Sequence, residues 1–226
     1  LAQLTRRVYD PLSRLAQLVG AAGQLSRFEY DAQGNLTRQT DPLGQSSTLG
    51  YDALDRLILM IDPLGGRTAL RHDGADQLAA VTDPRNLVTG YGRDGLGNEV
   101  RLDSPDTGLT SRSFDEAGNL VVSIDARGAR FSQRYDALGR IASQSVSGPD
   151  GVATASFLYD APGALGRLAS IVERVTNVSL ATRFQYDAHG RVIQKRQETA
   201  SRVLTVGYGF DATSGQMTGV RLPSGR

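Results

Sequence analysis

The sequence predicts an all-β protein: tandem β-hairpin repeats of about 21 residues that form one long antiparallel sheet coiling into a curved or spiral shell. Three observations predict it. An aromatic–Asp pair returns at a fixed step, and a second turn signal led by Asp and Pro returns at the same step, half a period away. The stretches between the two signals are too short for helices and are repeatedly broken by Gly or Pro.

The first signal reads Tyr9-Asp10, Tyr30-Asp31, Tyr51-Asp52, Phe114-Asp115, Tyr135-Asp136, Tyr159-Asp160, Tyr186-Asp187 and Phe210-Asp211, with His72-Asp73 and Arg93-Asp94 filling the two gaps. From position 9 to position 135 the step is 21 residues; it then lengthens to 24, 27 and 24. Asp is kept in all ten units. Three residues after most of these Asp residues comes Gly (Gly34, Gly97, Gly118, Gly139, Gly163, Gly190), then Arg, Asn or Gln and usually an aliphatic residue.

The second signal reads Asp41-Pro42-Leu43-Gly44, Asp62-Pro63-Leu64-Gly65, Asp83-Pro84-Arg85-Asn86, Ser104-Pro105-Asp106-Thr107 and Asp125-Ala126-Arg127-Gly128. Both signals have type I turn chemistry. An Asp at the first position accepts hydrogen bonds from the turn's own N–H groups, Pro at the second presets φ, and Gly at the fourth takes the left-handed conformation without a Cβ clash. Hairpin connections are commonly built on such turns. Each unit therefore holds two turns and two strands of roughly 6 residues.

The strand entering the aromatic–Asp turn alternates with period two. Phe28 and Tyr30, Leu49 and Tyr51, Leu70 and His72, Phe131 and Tyr135, Phe157 and Tyr159, Phe184 and Tyr186, and Tyr208 and Phe210 each fall on one face. The outgoing strand is less regular. Leu57, Leu59 and Ile61 make an apolar face, as do Leu120, Val122 and Ile124, but Arg38, Gln194 and Arg196 occupy that face in other units. About 20 strands at ~4.8 Å spacing would make a sheet on the order of 95 Å wide. Open twisted sheets rarely exceed ~10 strands without curling, so this one is expected to coil. Large side chains are scarce (no Trp, 6 Phe, 8 Tyr, against 26 Gly), which predicts a wall with space behind it.

Charge and composition exclude several classes. The net charge is +1, from 25 basic and 24 acidic residues, which leaves no electrostatic footprint for a nucleic acid. Absence of Cys rules out disulfides and thiolate metal sites. No apolar run approaches the roughly 20 residues of a membrane helix, so no membrane insertion by a helix is expected. The sequence starts at Leu1 in mid-pattern, without Met or a secretory leader, and reads as a segment of a longer protein: one array of about ten units over residues 1–226, irregular after about 145.

The phrases Tyr30-Asp31-Ala32-Gln33-Gly34-Asn35-Leu36, Tyr135-Asp136-Ala137-Leu138-Gly139-Arg140-Ile141 and Tyr186-Asp187-Ala188-His189-Gly190-Arg191-Val192, alternating with Asp-Pro-Leu-Gly, resemble the RHS or YD repeat. That family includes bacterial Rhs proteins, C components of insecticidal toxin complexes, wall-associated toxins and the teneurins. The resemblance implies repeats wound into a hollow β-shell around a C-terminal toxin or effector domain. It further implies remaining shell repeats in the parent chain, and secretion or surface display through a type VI system or toxin-complex injector. Self-cleaving members end the shell with Pro-x4-Asp-Pro-x-Gly-Leu. Here Gln45 follows Asp41-Pro42-Leu43-Gly44 and Gly66 follows Asp62-Pro63-Leu64-Gly65, so no cleavage site is carried over.

Apparent chemical motifs dissolve into this pattern. Gly90-Tyr91-Gly92-Arg93-Asp94-Gly95 matches the dinucleotide fingerprint but spans a repeat turn, where a helix would be needed. Asp106-Thr107-Gly108 matches the aspartic-protease triplet but has no second copy to share a proton. Successive turn Asp residues lie two strands apart, too far to share a calcium ion. His72 and His189 have no positioned partner in register. Asn35-Leu36-Thr37 and Asn177-Val178-Ser179 fit a glycosylation pattern, which carries no weight under the bacterial origin that the resemblance implies. No catalytic, cofactor or metal residues are therefore assigned, and the aromatic–Asp and Asp–Pro–Gly residues are read as structural. The aromatic row could stack on sugar rings in a cell-surface adhesion or glycan-binding module. Because the aromatic holds a fixed repeat position beside the turn Asp, filling the apolar face is the preferred reading, with cross-strand pairs worth roughly 0.2–1 kcal/mol each. Ser145–Ala155 and Glu173–Thr182, which break the period, are the expected places for unit-specific contacts.

Overall fold

The computed structural model describes residues 5–223. Leu1, with its mid-pattern start, and Arg226 lie outside the described residues. The chain divides into two compact units, Leu1–Gly108 and Leu109–Arg226. No helix occurs among the described residues.

The first unit runs through β1 (Arg6–Tyr9), β2 (Leu15–Val19), β3 (Leu25–Tyr30), β4 (Leu36–Thr40), β5 (Ser46–Tyr51), β6 (Leu57–Ile61), β7 (Arg67–His72), β8 (Leu78–Thr82), β9 (Val88–Arg93) and β10 (Glu99–Ser104). The second runs through β11 (Gly108–Phe114), β12 (Leu120–Ile124), β13 (Arg130–Tyr135), β14 (Ile141–Gly148), β15 (Gly151–Tyr159), β16 (Leu168–Val175), β17 (Val178–Tyr186), β18 (Val192–Glu198), β19 (Val203–Phe210) and β20 (Met217–Arg221). Within each unit the strands form an antiparallel meander, each paired with its neighbours in the chain. Short tight connections leave this as the simplest arrangement.

Two kinds of hairpin alternate, and they differ in register. Every aromatic–Asp hairpin carries a β-bulge one pair away from its turn. In β3–β4, Tyr30 faces Leu36 and Glu29 faces Arg38, so Thr37 is extra. Ala16 and Ile58 are extra in β1–β2 and β5–β6 in the same way. The Pro-side hairpins pair without a break but briefly: β2–β3, β4–β5, β6–β7 and β8–β9 each pair at three positions next to the turn. A bulge bends its strand and increases local twist. The outgoing strand therefore leaves the following strand before pairing reaches the aromatic edge.

The longer units of the second half put their extra residues into strands. Ser145–Ala155 is the end of hairpin β14–β15, which pairs continuously out to Gly148–Gly151. Glu173–Thr182 likewise extends β16–β17 out to Val175–Val178. The unit from Tyr159 also carries an insertion within its aromatic-side turn. There the Asp160 N–H bonds the Arg167 carbonyl, seven residues on. Gly163 takes the left-handed conformation expected of it, at φ 78°, but within an inner turn closed from the Ala164 N–H to the Ala161 carbonyl. Gly166 donates to the Asp160 carboxylate instead, and Arg167 takes the position that follows.

Burial is shallow. The buried residues are small (Ala80, Ala164, Ala169 and Thr182), and among the described residues no large side chain is fully buried. The aromatic face of the incoming strands is half-buried, as at Phe28, Tyr30, Leu49 and Tyr51. With so little interior, polar links along the aromatic edge take on much of the work of holding one hairpin to the next.

Candidate functional site

The chemistry-bearing side chains concentrate at the turns. In the turn at Asp10, one carboxylate oxygen accepts from the N–H groups of Leu12 and Arg14, both at 2.9 Å. The same two-point grip, on the residues two and four ahead, holds at Asp41, Asp52, Asp62, Asp115, Asp136 and Asp187. Asp31 grips Gly34 and Asn35, and Asp211 grips Thr213 and Ser214. The backbone closes each regular turn, with the fourth residue's N–H donating to the Asp carbonyl. That geometry leaves the fourth residue at positive φ, as at Gly34, Gly44, Gly65, Gly118, Gly139 and Gly190. Ser13, Asp55, Asp76 and Asn86 hold the equivalent position at φ of 59° to 63° where the repeat has no Gly. Pro42 and Pro63 precede the exposed tips Leu43 and Leu64.

The second carboxylate oxygen binds a side chain that the sequence pattern left without a role. Arg14, Arg56, Arg140 and Arg191 each present Nε to the Asp four residues earlier, at 2.6 to 2.8 Å. Asn35, Asn98 and Asn119 do the same with their amides. Five of these side chains, Arg14, Asn35, Arg56, Arg140 and Arg191, also reach the next hairpin. Arg14 donates to the Asp31 carbonyl at 2.8 Å and lies over the Tyr30 ring. Arg140 bonds both oxygens of Asp160 and lies 4.3 Å over the Tyr159 ring. Arg56 bonds Asp76, and Asn35 bonds Asp55. Arg167 and Arg191 lie over Tyr186 and Phe210. A guanidinium suits this task because one planar fork can bridge two acceptors and still cover a ring face.

These contacts set the ionisation of the carboxylates. The Arg56 guanidinium, joined by N–H groups of the turn, holds Asp52 down at about 2. The backbone N–H of Arg14 lowers Asp10, and that of Arg140 lowers Asp136, each helped by its guanidinium. The Asn119 amide lowers Asp115. Arg140, between Asp136 and Asp160, is raised by both, Asp160 foremost.

The tyrosine hydroxyls supply the other link. Tyr30 donates to the Leu15 carbonyl, Tyr51 to Leu36, Tyr135 to Leu120 and Tyr159 to Ile141, each at 3.0 Å, and Tyr186 to Leu168 at 2.8 Å. Every acceptor lies just outside the last backbone pair of its Pro-side hairpin, where the strands have separated. The hydroxyl thus replaces the ladder bond that the bulge removes. Tyr9, on β1, is more than half exposed. Phe114 and Phe210 contribute rings alone.

The remaining motif residues are scattered among these turns. Gly90 and Gly92 lie within β9, and the next element is strand β10. Asp106 is in the turn after β10, beside Arg85. The His189 N–H is bound by Asp187. Asn35 is committed to Asp31 and Asp55. His72 Nδ1 and Arg93 Nε, in the two units without an aromatic residue directly before the turn Asp, are buried without a hydrogen-bond partner.

A sequence profile of the RHS repeat matches residues 9–44, 30–67, 72–109 and 114–153. No curated protein matches the sequence. Among solved structures, the chain resembles the Photorhabdus luminescens Tc holotoxin pore, at 17% identity and a TM-score of 0.75 over 99% of this chain and 13% of that one. It resembles TcdB2-TccC3 equally, again at 17% identity and a TM-score of 0.75, covering 99% of this chain and 14% of that one. The form of TcdB2-TccC3 without its hypervariable C-terminal region gives the same identity and score, with 13% of that chain covered. At this identity the likeness is one of fold, and the chain spans only about a seventh of those proteins. By its two phased turns and by a profile match over more than half of its length, the chain belongs to the RHS repeat family.

Proposed function

We propose that this chain is a length of wall in an RHS-type shell that encloses or presents a C-terminal toxin or effector domain for secretion. In this reading residues 1–226 act as one array, coiled with the other repeats of the parent chain, and the whole is secreted or displayed at the cell surface. The observation that carries the proposal is the fold likeness over 99% of the chain to TcdB2-TccC3 and the Tc holotoxin pore. The use of side chains supports it. Turn carboxylates, guanidiniums and tyrosine hydroxyls are spent on links between hairpins, as a wall requires, and no reaction is assigned to them. Adhesion through the aromatic row is less favoured, because guanidiniums cover one ring face of Tyr30, Tyr159, Tyr186 and Phe210.

The test is electron microscopy of the full-length parent protein, combined with limited proteolysis. A hollow particle with a C-terminal segment protected until the particle is unfolded is the expected result. An extended filament, or a C-terminal segment cleaved as fast as a free peptide, would overturn the proposal.

A further inference from the structure

Successive hairpins of the first unit are not joined equally. The β2–β3 junction has the Tyr30 hydroxyl on Leu15, and the β4–β5 junction has the Tyr51 hydroxyl on Leu36. At the next two junctions the residue in that place is His72, toward the start of β6, and Arg93, toward the start of β8. Neither side chain takes up the phenol's bond across the junction: Arg93 donates from Nη1 to the Gly97 carbonyl of its own turn. Their Nδ1 and Nε atoms are the two buried side-chain polar atoms without a partner among the described residues. An unmet buried polar group costs more than an absent one, because its desolvation is uncompensated.

The β8–β9 junction is weaker in two further respects. Strand β9, Val88–Arg93, contains Gly90 and Gly92, which add backbone entropy and offer no side chain for packing. Its clamp position holds the uncharged Gln77, which leaves only the longer-range attraction of Arg93 for Asp73, whereas β6–β7 keeps the Arg56 guanidinium bonded directly to Asp76. Backbone pairing is equally short at both junctions: Leu59–Ala69 to Ile61–Arg67, and Ala80–Gly90 to Thr82–Val88.

We propose that β6–β7 and β8–β9 form a built-in seam, the place where the first unit parts before any tyrosine lock breaks, with β8–β9 opening first. Local opening of this kind draws on the elements with the fewest compensated contacts. Arrays coupled through nearest neighbours can part at one junction without unfolding the rest.

Hydrogen–deuterium exchange of the full chain, read peptide by peptide, tests it. Peptides over 78–81 and 91–94 should exchange at least about five-fold faster than those over 36–39 and 49–52, the factor for one neutral hydrogen bond. Peptides over 57–60 and 70–73 should fall between. His72→Tyr should slow exchange at 57–60 and 70–73 toward the level of the locked junctions. Tyr51→Phe, which removes one oxygen and keeps the ring, should create a new fast segment at 36–39. Equal protection at locked and unlocked junctions in the unaltered chain would overturn the proposal. So would a Tyr51→Phe chain whose exchange at 36–39 is unchanged, whatever the fate of His72→Tyr.

Discussion

Tyr186→Phe isolates the contribution of a single hydroxyl lock. The Tyr186 hydroxyl donates to the Leu168 carbonyl at 2.8 Å, at the point where β16 and β17 have ceased to pair beyond Ser170–Arg183. The substitution leaves the ring, its place under Arg167 and the backbone unchanged. What is lost is one neutral hydrogen bond, about 1 kcal/mol net, or about five-fold in a local opening constant. The loss should stay local, since hairpins in an array couple to their neighbours. Exchange measured over 168–171 and 183–186 should rise about five-fold, with peptides of β1 to β6 unaffected. Removing all five hydroxyls (Tyr30, Tyr51, Tyr135, Tyr159 and Tyr186) should cost on the order of 5 kcal/mol if the sites add. That equals the lower end of a domain's whole stability. The quintuple variant should lose its folded circular-dichroism spectrum at much lower urea. If its midpoint matches that of the unaltered chain, the locks do not hold the hairpins together and the reasoning fails.

Three other outcomes follow from the same geometry. Thr176, a β-branched residue at φ 51° in the tip of hairpin β16–β17, occupies a position suited to Gly; Thr176→Gly should stabilise by about 1 kcal/mol, and a lower melting temperature would contradict the tip assignment. Arg140→Lys should loosen the turn after Tyr159, because an ammonium cannot bond Asp136 and Asp160 while covering the Tyr159 ring; faster exchange over 160–167 is the readout, and none is expected from Arg130→Lys. The array should also tolerate moderate acid. Carboxylates held below their usual range stabilise the fold above the unfolded pKa of about 3.9 and lose that contribution only as pH falls through the folded value. For Asp52 that value is about 2, so loss of folded signal is expected between about pH 4 and pH 2, and cooperative unfolding at pH 5 to 6 would refute the carboxylate account.

The period, the two turns and the antiparallel hairpins were legible because Asp, Pro and Gly encode turns within four residues, and the turn partners lie within that window. The links between hairpins were not. The bulge at Thr37 depends on which residue faces Glu29, and no local pattern states a register. The Tyr30 bond to Leu15 spans fifteen residues and becomes visible only once the two strands are placed. Arg140 was conspicuous as a residue type after Gly139, but its reach to Asp160, twenty residues on, was hidden in the packing. Gly163 keeps the left-handed conformation that its spacing implies, but the insertion, invisible to that spacing, hands the carboxylate bond to Gly166 and the cover of the next ring to Arg167.

The irregular units show which edge of the array is constrained. Hairpin β14–β15 is longer than its counterparts, yet Tyr159 still reaches the residue opening the previous strand, now eighteen positions back. Hairpin β16–β17 is longer too, and Tyr186 reaches Leu168 across the same eighteen positions. Length added at the Pro-side tip slides outward along the strands and does not disturb the hydroxyl, the bulge or the carboxylate grip. The insertion on the aromatic side behaves differently. It places Asp160 itself at φ 61°, replaces the two-point grip with a single bond from Gly166, and keeps its link to the preceding hairpin because Arg140 spans to both carboxylate oxygens. The aromatic edge is therefore the one that fixes how hairpins are joined. The Pro-side edge can vary in length and sequence without disrupting those joints.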